Sequence, residues 1–238
     1  MPDEPSGPPE AACDQQTRAS TSPTVWNLRE EGAPRIQSKI DMGDPENGPL
    51  ALPGIYTLEL LIDGKTSTST LEIRRDPRSP VSDADLAAGH AFALRSRDAL
   101  TRLAASVARV RAVREQLDLL AKHAPKTAGA ETLALALKAA IARVDAIEGT
   151  LHNPEAKVNY DILAGRGGGA KLLSQWALLY GWTRDSDHAP TESMKTRADE
   201  LLTQLAERET ALQSLREHEL AKVEAEITSL GLPRILMP

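Results

Sequence analysis

Residues 100–120 read LTRLAASVARVRAVREQLDLL, and this stretch decides the fold class. Leu100, Leu103, Val107, Val110, Val113, Leu117 and Leu120 follow one another at spacings of three and four. That is the period of a helix with one apolar stripe. Arg102, Arg109, Arg111 and Glu115 fall off the stripe. Upstream, Ser82 is a good N-cap, and Asp83 and Asp85 complement the positive end of a helix dipole. Pro125 closes the pattern downstream, so the sequence predicts one helix over about 83–122.

The same period continues toward the C-terminus. Leu133, Leu137, Ile141, Val144, Ile147 and Leu151 predict a second helix over 129–151. His152 to Gly169 is read as irregular, with Pro154 and the run Gly165-Arg166-Gly167-Gly168-Gly169. A short third helix is expected from Ala170 to about Trp182. A fourth opens at Thr191-Glu192-Ser193-Met194, runs through Leu201, Leu205, Leu212, Leu215, Val223 and Ile227, and ends at Gly231 and Pro233. Long helices joined by short loops pack antiparallel, so residues 83–232 are expected to form an antiparallel helical bundle, with a tail at 233–238.

Toward the N-terminus the period changes to two. Tyr56, Leu58, Leu60 and Ile62 alternate with Thr57, Glu59 and Leu61, and Asp63-Gly64 is a preferred hairpin turn pair. Residues 55–73 are therefore expected to be a β-hairpin. Thr24 to Leu28, with Val25 and Trp26, is read as a third strand, and Arg29 to Pro53 as loop punctuated by glycine and proline. Residues 76–82 are a polar linker, and the Pro-rich residues 1–23 are expected to hold no fixed structure. The fold expected is mainly α with a small β part. Three strands are few for an independent sheet. Trp26, Tyr56, Leu58 and Leu60 must then pack on the helices, on a partner or on nothing, and the β part is expected to be less stable than the bundle.

Composition supports the helices. The chain has 238 residues, of which 41% are hydrophobic but only 3% aromatic. Large β-sandwich cores draw on aromatic residues, whereas Ala/Leu/Glu/Arg helices do not. The 28 basic and 34 acidic residues give a net charge of −6, interleaved without a basic stripe, so nucleic acid is not an expected partner. No stretch approaches the roughly 18–20 apolar residues of a membrane span. No signal-peptide pattern is read near Met1. Cys13, the only cysteine, makes neither an intrachain disulfide nor a cysteine zinc site.

The chemistry-bearing residues form no recognisable motif. His90, His123, His152, His188 and His218 are scattered, and His218-Glu219 lacks the second histidine of a zinc helix because Lys222 stands there. The glycine run before Lys171 fails as a phosphate loop: Ala170 precedes the lysine, Leu172 follows it, and no apolar strand feeds it. Asp185 with Asp187, and Asp83 with Asp85, are spaced as solvated or capping carboxylates. No Gly-x-Ser-x-Gly elbow occurs. No catalytic residue, cofactor or metal is expected. Trp176 and Tyr180 share a helix face, and with Trp182 they read as core or interface residues. Together with Trp26, Tyr56 and Leu61 they make the expected interaction surface.

Several segments resemble the C-terminal region of bacterial BNR/sortilin-type β-propeller proteins, often labelled glycosyl hydrolases. The residues that carry the resemblance are Val25-Trp26-Asn27-Leu28-Arg29, Gly48 through Leu58, Asp63-Gly64-Lys65, and Arg75-Asp76-Pro77-Arg78 leading into Ser82 to Leu86. Val158-Asn159-Tyr160-Asp161 and Gly169-Ala170-Lys171-Leu172 add to it. The hairpin alone is also similar to the immunoglobulin-like module of flagellar hook-capping proteins. The resemblance implies a partial immunoglobulin-like module at 24–75 followed by the bundle, as accessory parts behind a propeller that carries any ligand or catalytic site. No Ser-x-Asp-x-Gly-x-Thr-Trp propeller box occurs here, and the chain is expected to begin inside the immunoglobulin-like module. Asn27 stands where the pattern has aspartate, so no catalytic residue carries over. The implied location of full-length relatives is extracytoplasmic.

The function expected is that of a non-catalytic accessory or interaction module, whose partner is a protein or the missing propeller. One alternative is a free-standing helical scaffold that binds a protein or self-associates. Another is hydrolase activity owed only to the propeller. An enzyme in this chain would need a cleft gathering Asp161, His188 and Trp182.

Overall fold

The computed structural model describes residues 25–37, 39, 42–124 and 130–232. The two tails read from the sequence, Thr24 and Cys13 lie outside them. The architecture is mainly α with a small β part. Strands β1 (Arg29–Glu31), β2 (Asn47–Leu50), β3 (Gly54–Ile62) and β4 (Lys65–Ile73) precede the helices. These are α1 (Asp83–His123), α2 (Ala130–Leu151), the short α3 (Asn159–Leu163), α4 (Leu172–Thr183), α5 (Glu192–Leu215) and α6 (Ala221–Ser229).

Helix α1 starts as its sequence dictates. The Ser82 hydroxyl accepts from the Asp85 amide at 3.1 Å, with Asp83 and Asp85 in the first turn and Lys122 and His123 in the last. Its stripe from Leu100 to Leu117 is fully buried, and so is that of α2 from Leu133 to Leu151. Ion pairs across the surface report direction. Arg111 meets Glu148 at 3.1 Å and Arg114 meets Asp145 at 2.7 Å, so α1 and α2 are antiparallel. Arg95 pairs with Asp199 and Arg102 with Glu209, so α1 and α5 run the same way, as first and third members of an up-down-up arrangement.

The fourth predicted helix is interrupted. A π turn over Arg216–Leu220 joins α5 to α6. The buried positions Leu201, Leu205 and Leu215 are followed by Leu220, Val223 and Ile227. A regular helix would carry the stripe from Leu215 onto His218 or Glu219. The extra residue of a π turn moves Leu220 onto it instead.

The β part departs further from expectation. Residues Val25 to Asn27 form no strand, and Leu28 adopts a left-handed φ of 61°. The Trp26 indole N–H donates to the Arg29 carbonyl at 2.9 Å and the Arg29 amide donates to the Asn27 side chain at 3.0 Å, which turns the chain there. The segment read as loop supplies a two-stranded antiparallel pair instead, β1 with β2, bulged between Arg29 and Glu31. Gly48 permits it: a Cβ there would lie 1.9 Å from the Glu30 carbonyl oxygen. This segment also sends Ala33, Ile36 and Met42 into the same core as the helices. The hairpin β3–β4 forms as predicted but is a separate two-stranded sheet.

Polar groups fix the region between the helices. Asn153 is fully buried; its amide donates to the carbonyls of Arg166 (2.6 Å) and Gly169 (3.0 Å), and its side-chain oxygen accepts from the Glu155 amide. The glycine run is thereby pinned, with a 3₁₀ turn at Arg166–Gly168. Helix α3, in the stretch read as irregular, is held by the Asp161 carboxylate, which accepts from the amides of Lys157 and Val158.

Candidate interaction surface

The hairpin is the most exposed regular element. Asp63 (φ 48°) and Gly64 (φ 75°) form a two-residue turn with both φ positive, the type whose twist suits a hairpin. Register is continuous from Gly54↔Ile73 to Ile62↔Lys65, without a bulge. Tyr56, Leu58, Leu60 and Ile62 share one face with Leu71, Ser69, Ser67 and, at the tip, Lys65. Thr57, Glu59, Thr66, Thr68, Thr70 and Glu72 occupy the other, interrupted by Ile55 and Leu61.

The apolar face is covered only at its root. Trp26 meets Tyr56 edge-on, ring centroids 5.7 Å apart, and the Tyr56 hydroxyl donates to the Leu52 carbonyl at 2.7 Å. Burial, and then the charge of Glu30, push the Tyr56 hydroxyl above its ordinary pKa. Toward the tip Leu58, Leu60 and Ile62 remain 43%, 58% and 53% exposed. Of the three options left open for these side chains, Trp26 and Tyr56 pack on each other, while Leu58 and Leu60 face solvent. Ile55 and Leu61, on the opposite face, are 80% and 69% exposed. Amide exchange of residues 55–73 is therefore expected to outpace that of 100–120, and equal protection would contradict it.

Of the residues expected on an interaction surface, Trp26, Tyr56 and Leu61 lie in or against the hairpin. Trp182 is also on the surface, on α4 with the exposed Leu178 one turn earlier. Trp176 and Tyr180 leave the expected surface: of the two readings, core or interface, the core one holds, because the side of α4 that carries them faces the bundle and Trp182 lies on the other. The Tyr180 hydroxyl donates to the Asn47 carbonyl at 2.8 Å, which ties α4 to β2, and burial pushes its pKa up to about 12. Sequence reading passed over Ile55 and Ile62 as surface residues, although period-two alternation placed both.

The dispersed enzyme candidates are committed elsewhere. Asp161 caps its own loop and bonds Arg166 at 2.8 Å, which hold its carboxyl below the usual range. His188 and Trp182 are exposed, and no described contact joins them to Asp161. Asp185 pairs with Arg29 and Arg184, and Asp83 with Arg75. An open cleft of about 270 Å³ at the hairpin root is lined by Leu28, Leu50, Leu86, Arg75, Arg184 and Asp185. Among the described residues no group of three His, Cys, Asp or Glu could hold a metal ion, and no helix is long and apolar enough to cross a membrane.

One titratable group links the helices to the β1–β2 segment. His152 Nε2 donates to Glu148 at 2.8 Å, and Arg111 bonds both Glu148 and the Gln37 carbonyl. The His152 hydrogen bond, ahead of Arg111 and against burial, holds the Glu148 carboxyl below its ordinary 4.5. A depressed carboxyl contributes stability above its unfolded pKa and loses it as pH falls through the folded value. Glu148→Gln is thus expected to destabilise the chain at neutral pH, and its deficit to shrink as pH falls below 4.5. Urea unfolding of both proteins against pH checks this; a deficit that grows in acid would contradict it.

Comparison of the chain with protein-family models, with curated proteins and with solved structures finds no match.

Proposed function

We propose that the chain is a non-catalytic accessory module that docks on a protein through the apolar face of its hairpin, as the C-terminal part of a BNR/sortilin-type β-propeller protein. The observation that carries this is the exposure of Leu58, Leu60 and Ile62 side by side on a regular strand, with Ser69 and Ser67 beside the first two and Lys65 beside Ile62 at the tip. Contiguous apolar faces of this kind mark interaction sites. The resemblance of residues 24–232 to propeller-associated tails supplies the partner: a propeller protein. Any hydrolase activity then belongs to the propeller. A second reading, a helical scaffold, draws support from Leu178 and Trp182, exposed one turn apart on α4.

A photo-crosslinking residue in place of Leu60, introduced in the native host, tests the first reading. The expected result is a crosslink to propeller residues, in the same polypeptide or in a separate protein, identified by mass spectrometry of the linked peptides, that is absent when the crosslinker replaces the exposed Leu135 of α2. No adduct at position 60, or identical adducts at both positions, would overturn it.

A further inference from the structure

The hairpin has an edge as well as a face. Strand β3 is hydrogen-bonded to β4 on one side, and no described strand pairs with the other. A two-residue turn makes Ile62 and Lys65 a hydrogen-bonded pair, so even-numbered residues of β3 bond to β4. Ile55, Thr57, Glu59 and Leu61 therefore turn their amides and carbonyls outward. Natural edges are guarded by proline, bulges, inward charges or short length. This one runs nine residues with neither proline nor bulge, and Glu59 is its one charge.

The sequence of β3 is complementary to itself. Laid antiparallel against a copy with all nine residues overlapping, it is centred on Leu58. Position 58 then faces 58, Tyr56 faces Leu60, Thr57 faces Glu59, and Ile55 faces Leu61. The last pair joins the two apolar side chains that interrupt the polar face and have no contact to explain them. No like charges are opposed. The alternative centred on Glu59 sets two carboxylates against each other, and the one centred on Thr57 sets Glu59 against Ile55. The outward-turned residues 55, 57, 59 and 61 become the hydrogen-bonded pairs, with two bonds each and about eight in all. Leu58 falls at a close, non-hydrogen-bonded pair on the two-fold axis.

We propose that β3 pairs edge to edge with β3 of a second copy of this chain, antiparallel and centred on Leu58, to form a four-stranded sheet. A lone hairpin is marginal, and four strands with one apolar face make a sheet that can stand alone. The pairing deepens the docking reading, on which it rests, by doubling the face that carries Leu58, Leu60 and Ile62.

Sedimentation velocity on the full chain across a range of concentrations tests the pairing, with L58K, L58E and their mixture. Pairing centred on Leu58 brings position 58 of the two copies to about 4.5 Å between Cα atoms. The expected result is a concentration-dependent dimer for the wild type, monomers for L58K and L58E alone, and a heterodimer when the two are mixed. A wild type that stays monomeric, an L58K chain that dimerises as the wild type does, or a mixture that stays monomeric would each overturn the proposal. That failure is separate from failure of the docking reading, which the crosslink at position 60 decides.

Discussion

Trp176→Ala is expected to lower the unfolding free energy by about 3–5 kcal/mol, the range for emptying a large aromatic site in a packed core. Trp176 is wholly buried on α4, in the one cluster that also holds Leu100 and Leu103 of α1, Leu205 of α5 and Met42. The helix is short, and half of its 12 residues enter that core. A domain of this size is stable by about 5–15 kcal/mol, so the loss is a large share of the whole. Trp176→Phe is expected to lose less. It keeps a ring and removes an indole N–H that finds no hydrogen-bond partner among the described residues. Trp182→Ala, six residues on and exposed, is expected to stay within about 0.5 kcal/mol of the wild type. Urea unfolding of the three variants decides the matter. An alanine at 176 no more costly than one at 182 would contradict the packing described.

Asn153→Ala is expected to cost nearly as much for a different reason. The side chain donates to two carbonyls of the glycine run and accepts from the Glu155 amide, all in the interior between α2 and α4. Each buried group left without a partner costs about 1–3 kcal/mol. Even without full additivity the loss should reach about 3 kcal/mol, in the upper tail of single substitutions. Asn153→Asp separates hydrogen bonding from shape. It keeps the size but turns an acceptor toward the Arg166 and Gly169 carbonyls. Thermal melts should therefore show no rescue by aspartate. A variant as stable as the wild type would mean that the glycine run is held by something else.

Sequence reading placed α1, α2, α4 and the hairpin within a residue or two of their observed ends. Those elements carry their own instructions. The Ser82 cap, the stripe from Leu100 to Leu117 and the Asp63-Gly64 turn are local patterns, readable without knowing what lies opposite. The π turn was half legible: the five-residue step from Leu215 to Leu220 breaks the stripe, but Leu212 and Val223 masked it. Strands β1 and β2 were not legible. Arg29-Glu30-Glu31 and Asn47-Gly48-Pro49-Leu50 have neither alternation nor β-branched residues, and they pair because long-range contacts place them together. The anchor of Tyr180 to Asn47 spans 133 positions of sequence, and the Lys39 ammonium reaches the Asn153 carbonyl across 114.

The candidate surface divides in the same way. Alternation assigned Tyr56, Leu58, Leu60 and Ile62 to one face of a strand, and helical spacing put Trp176 and Tyr180 on one side of α4. Neither pattern says which side meets the core. An amphipathic element specifies that one face be covered, and the covering group is set by the packing of distant segments. The sequence by itself determined the helices, the hairpin, its turn and the self-complementary order of side chains along β3. Only the tertiary structure decided that α4 turns Trp176 and Tyr180 inward and leaves Trp182 out, that Ala33, Ile36 and Met42 join the helical core, and that the hairpin leaves the apolar side of its tip open to solvent. Local patterns are fixed by neighbours a few residues away along the chain, whereas burial is fixed by whichever surfaces the whole chain can bring together.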